Sequence, residues 1–179
     1  MEERPTMADQ RAANLLGALA LAVSDVVIEA AREEVDGPSA SGAIVRIGKY
    51  PGQPIEFLSR ALQLSHSATV RLVDRLQAEG LVRRERAAEG SGINRRSVTL
   101  YLTPKGERFL EGISSRRYDR LRALLGTLSG PEQAQLTSIM EKLLAELARP
   151  DNAAHICRLC DAEACEPAGC PVGYYPPGL

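Results

Sequence analysis

The sequence predicts a mainly α-helical fold with a small β-hairpin. Three observations carry that expectation. Apolar residues recur at three- and four-residue spacing through most of the chain up to Pro150. One segment near the middle turns β-branched and aromatic around Val98, Thr99 and Tyr101. The stretch between the two strand-like runs, with Gly90, Ser91, Gly92 and Asn94, has the composition of a hairpin loop.

The elements follow in order. From Ala8 to Val35, Leu15, Leu16, Leu19, Val23, Val26 and Val27 form the stripe of one long helix. Asp36, Gly37 and Pro38 should end it, because Gly suits a C-terminal cap and Pro cannot extend the ladder. Ser39 is placed to cap a short helix reaching Ile47. Tyr50-Pro51-Gly52-Gln53-Pro54 reads as a turn, and Ile55, Leu58 and Leu62 mark a third helix closing at Gln63 and Leu64. Ser65 then caps a fourth helix, with Val70, Val73 and Leu76 on its buried side and Gly80 as its stop. Leu81 to Arg86 and Ser97 to Thr103 read as strands joined by a loop from Ala87 to Arg96. Thr103-Pro104 opens a fifth helix carrying Phe109, Leu110 and Ile113 as far as Leu128. Ser129-Gly130-Pro131-Glu132 opens a last one with Leu136, Ile139, Met140, Leu143, Leu144 and Leu147, and Pro150 ends the helical part.

With 179 residues, 44% apolar and 25% charged, the chain suits one compact soluble domain with helical extensions rather than a large two-domain enzyme. The least polar stretch, Leu15 to Ile28, is broken by Ser24 and Asp25 and reads as too short to span a bilayer. The opening MEERPTMADQ lacks the basic and apolar segments of a secretory leader, so a cytoplasmic location is expected. No G-x-x-x-x-G-K-[ST], H-E-x-x-H or G-x-S-x-G occurs and there are two histidines, so no enzymatic activity is expected. The net charge of −1 is unevenly spread. Residues 1–37 hold three Arg against eight acidic residues, 59–96 eight Arg against four, and 150–179 one Arg against four. The basic middle is the part suited to nucleic acid.

Four helices, a hairpin and two more helices give a winged helix-turn-helix between long flanking helices. The text PIEFLSRALQLSHSATVRLVDRLQAEGLVRR, from Pro54 to Arg84, followed by NRRSVTLYLTPKGERFL, resembles the multiple antibiotic resistance regulator (MarR) family of transcription factors. The likeness runs over residues 8 to 148. In a recognition helix the N-terminal residues face base edges while the other side packs on the preceding helix. That leaves His66, Ser67, Thr69, Arg71 and Arg75 as candidates for the groove and its flanking phosphates. Arg71 suits bidentate contact with guanine, and Ser65 and Ser67 suit phosphate oxygens. In the wing, Arg95 and Arg96 would lie along the backbone or enter the minor groove. Asn94 stands where family members often carry Asp, so a wing ion pair through that carboxylate is not expected here.

The long first and last helices are too apolar to stand alone. The resemblance implies that residues 8–37 and 104–149 form a two-fold dimerisation region and residues 39–103 the DNA-binding winged helix-turn-helix. It further implies a homodimeric regulator, more often a repressor, on a palindromic operator in double-stranded DNA. It also allows a small phenolic or lipophilic effector between the two parts.

Residues 150–179 form a separate, cysteine-rich tail. Cys157, Cys160, Cys165 and Cys170 are spaced C-x2-C-x4-C-x4-C, which in a reducing compartment points to thiolate metal ligation. An iron–sulfur cluster, [2Fe-2S] or [4Fe-4S], is the first expectation, since all-thiolate ligation and the Cys170-Pro171 pair suit one. Zinc is the alternative, because the spacing matches a zinc knuckle with Cys165 in place of its His. The layout is similar to that of MerR-family superoxide sensors, with four close cysteines after a dimerisation helix. A centre at the dimerisation end could then sense redox state and reset the half-site spacing. His155, two residues before Cys157, could replace a thiolate or support the ligands but reads first as a capping or solvent-facing residue, and use of Cys157 and Cys160 as an enzymatic dithiol is a more remote alternative.

Overall fold

A computed structural model describes residues 6–32, 37–87, 97–165 and 169–173. The chain runs α1 (Met7–Arg32), α2 (Pro38–Lys49), β1 (Gln53–Pro54), α3 (Ile55–Leu62), α4 (His66–Ala78), β2 (Val82–Arg86), β3 (Val98–Leu102), α5 (Pro104–Leu125) and α6 (Gly130–Leu147). Two single-turn helices follow, α7 (Ala153–Ile156) and α8 (Ala162–Cys165). The fold is mostly helical with one three-stranded antiparallel sheet in the order β1-β3-β2.

Side-chain caps start most of the long helices. Asp9 N–H donates to Thr6 Oγ1 at 3.2 Å while Thr6 N–H donates to Asp9 Oδ2 at 2.9 Å, a reciprocal cap on α1. Ser65 Oγ accepts from Ala68 N–H at 3.2 Å on α4, and Thr103 Oγ1 from Gly106 N–H at 3.1 Å on α5. Ser129 and Glu132 form the same box on α6. The start of α2 differs from expectation: Pro38 takes the first helical position after Gly37, and Ser39 lies inside the first turn instead of capping it.

The expected turn at 50–54 also contributes structure, since Gln53 pairs with Leu100 and Pro54 with Thr99. Proline is tolerated there because β1 is an edge strand. In the hairpin, Val82 sits opposite Leu102 and Arg86 opposite Val98. Ile44, Leu58, Val73, Leu76, Leu81 and Leu100 lie at the centre of one cluster to which α2, α3, α4, the sheet and α5 all contribute.

Long helices flank this core. α1 lies along α5, and Ser41 Oγ of α2 donates to the Ala31 carbonyl at 3.0 Å, a buried bond that fixes its C-terminal turn. Only Ala30 and Ala31 of α1 are buried, and no residue of α6 is. By length and composition α1 is apolar enough to cross a membrane, against the expectation from Leu15 to Ile28. The chain also does not simply end its structure at Pro150. Asn152 Oδ1 accepts from Arg149 N–H at 2.8 Å, its Nδ2 donates to the Leu147 carbonyl at 3.1 Å, and α7 follows.

Candidate nucleic-acid interface and cysteine cluster

Helix α4 presents two chemically distinct faces. Thr69, Leu72, Val73 and Leu76 are buried, while His66, Ser67, Arg71, Asp74 and Arg75 are exposed. Thr69 is therefore a correction to the expected groove residues. Its Oγ1 donates to the Ser65 carbonyl at 3.0 Å and accepts from Ser59 Oγ of α3 at 3.0 Å, so it ties the two helices together. A small hydroxyl with both hydrogen-bonding roles met inside the fold can be buried at little cost. The phase of the helix shifts with it: Leu72 takes the core position, and Val70 is half-buried.

The remaining expected residues stay on the surface. Ser65 and Ser67 are 3.3 Å apart through their hydroxyls at the open end of α4, where unpaired amides favour anionic groups. His66 Nδ1 stands 3.8 Å from Glu56 Oε1, and Arg75 Nε 3.9 Å from Glu79 Oε1, both exposed and weakly held. Arg71 lies exposed between them along the helix. Asn94, Arg95 and Arg96 lie outside the described residues.

Sequence reasoning missed how the wing is joined to this helix. Arg84 of β2 donates to Asp74 Oδ1 at 2.7 Å and to Gln77 Oε1 at 3.0 Å, linking the hairpin to the back half of α4. Arg83 of the same strand lies over the Tyr101 ring at 4.6 Å. The signal for the first link was available as a carboxylate ten residues before an arginine across Gly80, but such a pair is uninformative without the register of the strand.

The first part of the tail packs against α3 and the end of α2, while Gly169 to Pro171 line a cleft with α6. α7 lies against α3, Ala153 is buried, and Leu159 packs on the main core. Lys49 Nζ at the end of α2 donates to Asp161 Oδ1 at 2.8 Å. His155 Nδ1 donates to the Ala61 carbonyl of α3 at 3.1 Å, so this histidine caps a distant helix and does not face solvent as one reading had it. Burial, with the Arg158 charge beside it, holds its pKa below the usual value, which keeps the ring neutral.

Cys157, Cys160, Cys165 and Cys170 are all half-buried and free of disulfides. The Cys157 thiol lies near enough to Cys160 and Cys170 to feel both electrostatically. The Cys160 thiol is pulled down to about 6, first by the neighbouring Cys157 thiol and then by the Arg117, Arg46 and Arg158 guanidiniums, against burial. Its partner Cys157 is pushed up by the same pairing and by burial. Burial, then the charges of Cys160, Cys170 and Asp161, raise Cys165. Among the described residues, no three His, Cys, Asp or Glu side chains are gathered tightly enough to hold a metal ion as they stand.

Two hollows bear on an effector. One, lined by Arg46, Tyr50, Phe57 and Leu58 among others, has no room for a water molecule. The other is an open cleft of about 430 Å³ between Glu141, Lys142 and Ala145 of α6 and Gly169, Cys170 and Pro171 of the tail.

A model of the MarR family matches residues 37–91, the span that holds α2 through β2. This part of the chain is similar to the MarR family. The transcriptional repressor MprA of Escherichia coli K12 is 37% identical over 95 residues, 53% of this chain and 51% of that repressor. The chain thus spans about half the length of the curated relatives it matches. Among solved structures, FabT of Streptococcus pneumoniae in complex with DNA superposes with a TM-score of 0.63 at 23% identity, over 77% of this chain and 96% of that one. MepR, a transcription regulator of the Staphylococcus aureus multidrug efflux pump MepA, gives 0.64 at 17% identity, over 75% and 97%. At such identities these two show the fold alone, a winged helix with flanking helices.

The MprA relative is named as a transcriptional repressor and MepR as a transcription regulator. The MarR match ends well before the four cysteines.

Proposed function

We propose that the chain is a cytoplasmic transcriptional repressor that binds a palindromic operator in double-stranded DNA as a homodimer. The observation that carries this reading is the exposed face of α4. Ser67, Arg71 and Arg75 point outward from a helix whose opposite side, Thr69, Leu72, Val73 and Leu76, is locked into the core. A rigid helix with donors along its N-terminal half is what major-groove readout requires. The relative named as a repressor and the fold neighbour crystallised with DNA support the same reading. α1 serves as a dimer arm in this reading and not as a membrane span, since its last turn is bonded into the core through Ser41.

Site selection from a random duplex library, followed by fluorescence anisotropy, tests it. The selected site should be a palindrome whose half-sites are spaced about 10 base pairs or a multiple apart. Affinity should fall steeply with salt, and Arg71→Ala should lose about tenfold or more on that site with little change on random duplex. A chain that enriches no sequence, or whose Arg71→Ala variant binds the selected site unchanged, would sink this reading.

In the same reading the four cysteines supply the input. They hold an iron–sulfur cluster, with zinc as the alternative occupant, and report redox state to the DNA-binding lobe. The adjacency of Cys157, Cys160 and Cys170 supports this, with Cys165 as the ligand that closes in on loading. Protein purified without oxygen should show visible cluster absorption with stoichiometric iron and acid-labile sulfide. A colourless chain carrying one zinc would make the centre structural, and the cleft beside Cys170 would become the place to look for an effector.

A further inference from the structure

We propose that the metal-loaded cysteine tail is a strap across the DNA-binding lobe, fixing α3 through the Ala61 carbonyl and α2 through Lys49. This rests on the reading of the four cysteines as a metal site.

The C-terminal carbonyls of a helix have no partner within it. In α3, Ser59 O accepts from Leu64 N–H at 3.1 Å and Arg60 O from Gln63 N–H at 3.3 Å, both from the chain that follows. Ala61 O accepts instead from His155, 94 residues further on. Ala61 is fully buried, so this carbonyl would be costly to leave unmade. The tail therefore completes the end of the helix on which α4 rests through the Ser59–Thr69 bond.

Three of the docking residues of the tail lie within two positions of a cysteine. His155 lies two positions before Cys157, and Leu159 and Asp161 flank Cys160. Helices of four residues such as α7 and α8 do not hold themselves together. A small segment without a core of its own normally needs a staple, and closing four thiolates on one centre is such a staple. The centre would be anionic, and positive charge reaches Cys160 from Arg46 of α2, Arg117 of α5 and Arg158 of the tail. Loading would thus draw α2, α5 and the tail together around the end of α3.

The full-length chain is reconstituted anaerobically with iron and sulfide, or loaded with zinc alone, and compared with chelator-stripped reduced protein. Amide exchange across residues 55–64 and affinity for the selected duplex are read in each state, beside metal content. Loading should slow exchange in α3 and change DNA affinity by about tenfold. Lys49→Met and His155→Phe, which leave all four cysteines in place, should still take up the centre. Their affinity difference between loaded and stripped protein should shrink to under about threefold. If wild-type protein takes up the centre while α3 exchange and DNA affinity stay the same, the strap is refuted and the metal site stands. If neither cluster nor zinc is taken up, the metal reading fails and the strap falls with it.

Discussion

The Cys160 thiol sits where three arginines and a neighbouring thiol all favour its ionised form. A thiolate, not a thiol, is the nucleophile. In metal-free protein, iodoacetamide at pH 7 should therefore alkylate Cys160 ahead of Cys157 and Cys165, at a rate that rises as pH climbs through about 6. Peptide mapping by mass spectrometry reads this directly, and preferential labelling of Cys157 would show that the arginines do not act as described. None of this was legible in the sequence, which spaced the cysteines but could not place Arg46 and Arg117, 114 and 43 positions before Cys160, beside it. The same limit explains Thr69. Its sequence position fits either face of an amphipathic helix, and only the Ser59 hydroxyl waiting on α3 decides that it turns inward. Arg71, two positions on, needed no such partner and stands where periodicity put it.

At the scale of elements, helix starts were the readable part. Thr103-Pro104 and Ser129 through Glu132 carry their caps in adjacent residues, and the structure uses them. Close approaches between elements were not readable. A Cβ added at Gly106 would lie 2.1 Å from the Leu81 carbonyl oxygen, and that oxygen is held in place by Thr103 N–H at 3.0 Å. Here the first turn of α5 touches the backbone that leads into β2, and only hydrogen fits between them. Gly106→Ala should cost about 3 kcal/mol, the upper part of the range for overpacking. Urea unfolding should show a lower midpoint with an unchanged slope. A variant as stable as the parent would mean that α5 and Leu81 can separate without loss. The strand at Gln53 and Pro54 was missed for a related reason: two residues contain no alternation, and their pairing is set by β3.

For the whole molecule, the leading question is what covers the flanking helices. Leu15, Leu16, Leu19 and Leu21 of α1 are at least half exposed, and Ile139, Met140, Leu143 and Leu147 of α6 are also open to solvent. Exposed apolar rows of this kind on two long helices mark an association surface. A second copy of the chain can cover it with the same residues under two-fold symmetry, which would also place two α4 helices on successive major grooves. Leu143→Glu separates this account from a monomeric one. Because no residue of α6 is buried within the chain, the substitution should leave the winged helix folded, with an unchanged circular dichroism spectrum. It would place a charge inside the dimer interface, so light scattering at micromolar concentration should move from dimer to monomer. Affinity for a palindromic site should then fall by about 100-fold, as expected when two linked half-site contacts become one, while weak binding to a single half-site persists. A variant that stays dimeric would move the interface off α6. Wild-type protein that is monomeric at all concentrations, yet binds both half-sites cooperatively, would mean that DNA and not these helices brings the copies together.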